Sequence, residues 1–141
     1  LGDHEVLVIV QGPHGYISPS WYEPGDIIPT WNHVTAHLYG TPELLSDEDN
    51  LIALAHLTDH FEQRVAEPRG LHLDPEYSRR IARGTVGIRV RVTKIDARAK
   101  LSQNKAPEIV DRIIEALAGD EPYSHAELAR EMRRHHDARD S

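Results

Sequence analysis

Five consecutive apolar residues, Val6-Leu7-Val8-Ile9-Val10, stand near the start of this chain with no polar residue among them. Their length and β-branched content read as a strand, and the lack of alternation predicts that both faces are covered. Such a strand needs pairing partners and packed layers on either side. Almost nothing precedes it, so the expectation is a central strand in a fragment of a longer chain. The missing neighbours would lie upstream or on another chain.

Gly12-Pro13 predicts the end of that strand. Tyr16–Ser20 reads as a short extended piece before a loop containing Pro24-Gly25 and Pro29. From Trp31 to Tyr39 the pattern alternates: Trp31, His33, Thr35, His37 and Tyr39 share one face, and Asn32, Val34, Ala36 and Leu38 the other. This predicts a half-buried strand bounded by Gly40-Thr41-Pro42. Val86, Ile88, Val90 and Val92 alternate with Gly87, Arg89, Arg91 and Thr93, giving a strand to Ile95 with a bend at Asp96-Ala97.

Helix signals fall between and after these strands. Ser46 followed by Asp47-Glu48-Asp49 resembles a capped start, and Leu51, Leu54, Leu57/Thr58, Phe61 and Val65 continue as a stripe that ends before Pro68. Asp74-Pro75 opens a second, short helix that stops at Gly84. Pro107 sits just inside a third, with Ile109/Val110, Ile113, Ile114 and Leu117 as its stripe and Gly119 at its end. Ser124-His125-Ala126-Glu127 caps a last helix through about His136; its thin apolar face, Leu128 and Met132, predicts peripheral packing. Strands and helices without regular βαβ alternation give an α+β class with a mainly antiparallel sheet.

Composition narrows the function. A chain of 141 residues builds one core. No apolar run approaches the roughly 20 residues of a membrane span, and no basic leader precedes an apolar stretch, so the expectation is a cytoplasmic protein without membrane contact. The absence of cysteine removes disulfides, thiolate zinc sites and thiol catalysis. A net charge of −7 argues against broad attraction to nucleic acid. In the last helix and tail, Arg130, Arg133, Arg134 and Arg139 are balanced by Glu127, Glu131, Asp137 and Asp140.

Residues 11–40 hold both tryptophans, three of the five tyrosines and three of the ten histidines. Such rings commonly form core, but here Gln11, His14, Ser18, Ser20, Thr30 and Asn32 stand among them. Buried polar groups need partners, and a flat, partly polar ligand is one way to supply them. His33 and His37 are about 13 Å apart at strand rise, too far for one metal. His56 and His60 have helical spacing, but no glutamate follows His56 and the pair lacks the ligand count of a site. No nucleophile elbow, Walker loop or dinucleotide fingerprint occurs. No metal or catalytic residue is assigned.

Three blocks in order carry a resemblance. They are Gln11-Gly12-Pro13-His14 through Tyr16, Ser18-Pro19-Ser20-Trp21-Tyr22; Pro29-Thr30-Trp31-Asn32 with Ala36-His37 and Tyr39-Gly40; and Lys100-Leu101-Ser102-Gln103-Asn104. With these the chain resembles the PaiB family, FMN-binding negative transcriptional regulators of protease synthesis and sporulation. The resemblance implies an FMN-binding split β-barrel with C-terminal helices, here lacking the N-terminal helix and barrel strands. Residues 1–105 would be the barrel core with inserted helices, and 106–141 a helical extension. It also implies a homodimer with flavin at the interface and DNA contact, direct or indirect. The implied FMN residues are His14, Tyr16, Ser18, Trp21, Thr30, Trp31, Asn32, His37, Lys100, Ser102, Gln103 and Asn104. The alternatives on this fold are a flavin-dependent oxidoreductase of the pyridoxamine-phosphate-oxidase type and a cofactor-free dimeric interaction protein.

Overall fold

A computed structural model of the chain describes residues 4–22 and 24–138. Three strands, β1 (Val6–Ile17), β2 (Thr30–Leu44) and β3 (Ile88–Lys100), form an antiparallel sheet in the order β1-β2-β3. Among the described residues four α-helices complete the α+β fold: α1 (Asp47–Glu62), α2 (Pro75–Ala82), α3 (Pro107–Ala118) and α4 (Ala126–Asp137). The arrangement is that of a partial split barrel. Among the described residues no helix is long and apolar enough to cross a membrane.

The strand expected at the centre is at the edge. β1 pairs only with β2 among the described residues, and Leu7, Ile9 and Val10 are 45%, 56% and 51% exposed. An apolar run reports a preference for burial; it carries no information about which neighbour supplies that burial. β1 also continues through Gly12-Pro13, because at an edge a missing N–H need not break a ladder. Gly12 keeps β2 close: a Cβ there would lie 3.3 Å from the Val34 Cβ. β2 likewise runs through Gly40-Thr41-Pro42, and β3 reaches Lys100 without ending at Asp96-Ala97.

The chain divides into two compact units. One comprises residues 1–7 and 39–94, the other residues 8–38 and 95–141. In the first, the Ser46 hydroxyl accepts the Asp49 N–H at 3.1 Å and starts α1, with three acids in its first turn. Asp74 caps α2 through the Tyr77 N–H at 2.9 Å. Buried Asn50 ties α1 to the end of α2, donating to Thr85 Oγ1 at 2.9 Å and the Ala82 carbonyl at 3.4 Å. Much of the α1 stripe, including Leu57 and Phe61, faces solvent.

The second unit holds the large apolar core. Ile17, Tyr22 and Leu101 pack with Val110, Ile113, Ile114 and Leu117 of α3 and Leu128, Ala129 and Met132 of α4. The last helix is thus central to the core, contrary to the peripheral packing its few apolar residues suggest. Leu128 and Met132 are one turn apart on one face, and Ala129 beside them allows close approach. Full burial of each large side chain stabilises by about 1.5–3 kcal/mol, so three well-placed residues suffice. The cap of α4 is His125, which accepts the Leu128 N–H at 3.3 Å; Ser124 stands one residue earlier.

A candidate aromatic ligand site

Strand alternation sorts the residues of β1 and β2 within the second unit. Gly15 and Ile17 are buried, and a Cβ on Gly15 would lie 3.1 Å from Leu128 of α4. His14 and Tyr16, one position out of phase, point the other way. The same rule divides β2 in an unexpected sense: Asn32 is fully buried, whereas neighbouring Trp31 is 51% exposed.

His14, Tyr16 and Trp31 come together as a ring cluster. The Trp31 indole stacks on the His14 imidazole, with ring centroids 5.9 Å apart and planes 27° from parallel. Its Nε1–H donates to His14 Nδ1 at 3.2 Å. In the neutral imidazole the proton is therefore on Nε2, so that nitrogen can donate to a ligand. Tyr16 meets Trp31 edge-on at 6.5 Å. A ring the sequence did not single out, Tyr123, meets Tyr16 at 5.1 Å from the loop between α3 and α4. Its backbone is left-handed, with φ of 71°. The stacked His14–Trp31 pair offers an amphipathic face, edged by the Tyr16 and Tyr123 rings, with one imidazole N–H and two phenols in the cluster.

Lys100 and Thr30 form a second group, where the end of β3 meets the start of β2. The lysine ammonium donates to Thr30 Oγ1 at 2.5 Å. Asn32 and Ser102 form a third, directed into the core. Asn32 Nδ2 donates to Ser102 Oγ at 3.0 Å and approaches Met132 Sδ at 3.4 Å, while the Ser102 hydroxyl is 3.3 Å from Asn32 Oδ1. Ser102 has a left-handed backbone, φ 64°, so a strained turn is held against β2 by these bonds. Gln103 fastens the same turn, accepting the Leu101 N–H at 2.8 Å and donating to the Ala99 carbonyl at 2.6 Å.

The other expected site residues are dispersed. Ser18 caps the short 3-10 turn Pro19–Trp21 by accepting the Ser20 N–H at 3.2 Å. Trp21 packs against the core. His37 is half-buried farther along β2, and Asn104 is exposed.

A charged group beside Tyr22 escaped the sequence reading. Lys105 Nζ bonds Asp26 Oδ2 at 2.5 Å and stands 3.8 Å over the Tyr22 ring. The Lys105 hydrogen bond, with a backbone N–H from Ile28, holds the Asp26 carboxyl below its ordinary range. Burial, then the charge of Asp26, pushes the Tyr22 phenol upward. Its hydroxyl is buried without a hydrogen-bond partner among the described residues. Separations of 79 residues between Asp26 and Lys105 left no local signal of this group.

Residues 1–94 match the family described as "Putative FMN-binding domain". The chain is 33% identical over 129 residues to the protease synthase and sporulation protein PAI 2 of Bacillus subtilis, covering 91% of this chain and 62% of that protein. It is 34% identical over 67 residues to an uncharacterized protein of Saccharomyces cerevisiae, covering 43% of this chain and 40% of the relative. An uncharacterized protein of Emericella nidulans shows 24% identity over 127 residues, covering 78% of this chain and 51% of the relative. The chain thus spans 62% or less of the length of these relatives.

Proposed function

We propose that this chain, which belongs to the PaiB-type family of FMN-binding domains, is a flavin-responsive regulatory module. The observation that carries this reading is the half-exposed Trp31 stacked on His14. An indole is costly to leave in water, and a flat heteroaromatic ring is the ligand that would cover it. His14, Tyr16 and Trp31 would face the isoalloxazine, with the His14 Nε2–H as a donor to its polar edge. Lys100, held by Thr30, would offset phosphate charge. Asn32, Ser102 and Gln103 would act indirectly, holding the turn that follows Lys100. Bound flavin supplies redox chemistry; the protein supplies orientation and shielding.

The name of the Bacillus relative connects it with protease synthesis and sporulation, and regulation of transcription is the corresponding role for this chain. With a net charge of −7, DNA contact would come from parts of the assembly beyond this acidic surface or through another protein. The open edge of β1, with Leu7, Ile9 and Val10 exposed, supports pairing with a second copy. That homodimer would complete the flavin site.

Titration of the full-length protein with FMN, read by tryptophan fluorescence, tests the reading. Saturable quenching is expected, reduced about tenfold in affinity by Trp31→Ala through loss of one stacking contact. A protein that stays colourless with excess FMN and shows no quenching would refute it. NAD(P)H turnover by the flavin-loaded protein would make it an oxidoreductase instead.

A further inference from the structure

The turn after β3 and the last turn of α4 enclose a cavity of about 160 Å³ in the second unit. Its basic side chains have no part in the flavin reading. Lys105, His135 and His136 all reach its wall, beside Gln103, Pro107 and Met132. We propose that this cavity binds a small oxyanion of the phosphate class, either free or as the terminal group of a larger ligand.

The volume decides the size of the occupant. Pockets for drug-sized ligands run to roughly 300–1,000 Å³, so this one suits a tetrahedral group of a few atoms and excludes a flavin ring. Two of the lining bases are largely desolvated: the side chains of Lys105 and His136 are 18% and 17% exposed. Charge-assisted bonds from such groups are stronger than those at an open surface. Pro107 of the wall is also the first residue of α3. Side chains cap α1, α2 and α4, but Ala106 leaves the positive end of α3 without one. An anion in the cavity would lie against that end.

Acids oppose this charge without cancelling it. Asp26 bonds Lys105, whose ammonium stands over the Tyr22 ring, so the lysine lends positive charge to the wall while the histidines supply the donors. Asp111 is 4.0 Å from His136. No side-chain hydrogen bond or ion pair is found for His135 among the described residues. Glu108, in the first turn of α3, is exposed and does not line the cavity. Inorganic phosphate should bind weakly, and a phosphomonoester that makes further contacts more tightly.

The test is a phosphate titration of the full-length protein at constant ionic strength, followed through the histidine ring signals by NMR. Saturable shifts of His135 and His136 are expected, absent with chloride. His135→Gln should weaken the midpoint about tenfold, the worth of one charge-assisted hydrogen bond. Lys105→Gln should weaken it too, but that change also removes the Asp26 pair, so the milder His135→Gln decides. Shifts that rise linearly without saturation, or a midpoint unchanged in His135→Gln, would overturn the proposal. A small phosphomonoester identifies the source. If the cavity takes the terminal group of a larger ligand, the monoester saturates the His135 and His136 shifts at lower concentration than inorganic phosphate; if it takes the free ion, only inorganic phosphate saturates them. Trp31 fluorescence reports the flavin site separately, so failure of one reading does not mimic failure of the other.

Discussion

Replacing Asn32 with alanine tests whether the buried amide–hydroxyl pair fastens the turn after β3 to β2. The wild-type amide is fully buried, bonded to Ser102 Oγ at 3.0 Å and 3.4 Å from Met132 Sδ. Alanine removes these contacts and strands the Ser102 hydroxyl in a site that water does not reach. A stranded buried polar group costs about 1–3 kcal/mol, and the vacated volume beside Met132 adds a cavity term. The expected loss is about 3 kcal/mol, a large part of the roughly 5–15 kcal/mol that holds a domain of this kind. Urea unfolding measures it, with an unchanged denaturant slope showing that the end states are preserved. Ser102→Ala completes a double-mutant cycle whose coupling should be about 1–2 kcal/mol. Ser102→Gly separates the backbone from the bond: at φ 64° glycine avoids the left-handed penalty, so it should be about 1 kcal/mol more stable than Ser102→Ala. A loss below about 0.5 kcal/mol for Asn32→Ala, or additivity of the two alanine variants, would refute the reasoning.

Gly40→Ala should unzip β2 from β3, since its Cβ would fall 2.2 Å from the Arg91 carbonyl oxygen; accelerated amide exchange in β3 is the readout. Tyr22→Phe removes a hydroxyl that has no hydrogen-bond partner among the described residues and should stabilise by about 1 kcal/mol in urea unfolding. The same variant should behave differently in alkali. The raised Tyr22 pKa means the unfolded phenol ionises first, so wild-type stability falls as pH climbs past 10.0, and phenylalanine abolishes that part of the slope. Asp26 has the opposite sign. Its lowered pKa contributes stability above the ordinary carboxyl value of 3.8, lost as pH falls through the lower folded value; Asp26→Asn should flatten that acid limb in a pH series of thermal midpoints.

Elements with punctuation of their own were legible in the sequence. Pro107 and Gly119 bracket α3, Ser46 starts α1, and Asp74-Pro75 starts α2. Alternation located β2 and the first part of β3. What alternation could not do was rank the strands: Val6–Val10 is the most apolar of them, yet β2 is central. Gly12-Pro13 and Gly40-Thr41-Pro42 read as breaks because glycine and proline usually end strands; here one glycine lets a neighbouring strand approach and the other meets a carbonyl. In the candidate site, His14, Tyr16 and Trp31 were found from their density of rings. The separation of Asn32 and Ser102 into the core was not, since a polar residue beside an indole is normally the one left in water. Tyr123, Asp26 and Lys105 lie far apart in sequence, and only the fold brings them to their partners.

The edge position of β1 has a practical consequence for handling the protein. Val6–Val10 is short, rich in β-branched residues, uncharged and, among the described residues, unpaired on one side, the pattern that templates strand-to-strand aggregation. Pro13 offers no N–H, so a foreign strand growing along this edge meets a gap after Gly12. Lysine in place of Ile9 should therefore improve solubility, while a residue with an N–H in place of Pro13 should worsen it. The proline that looked like the end of a strand serves there as its guard.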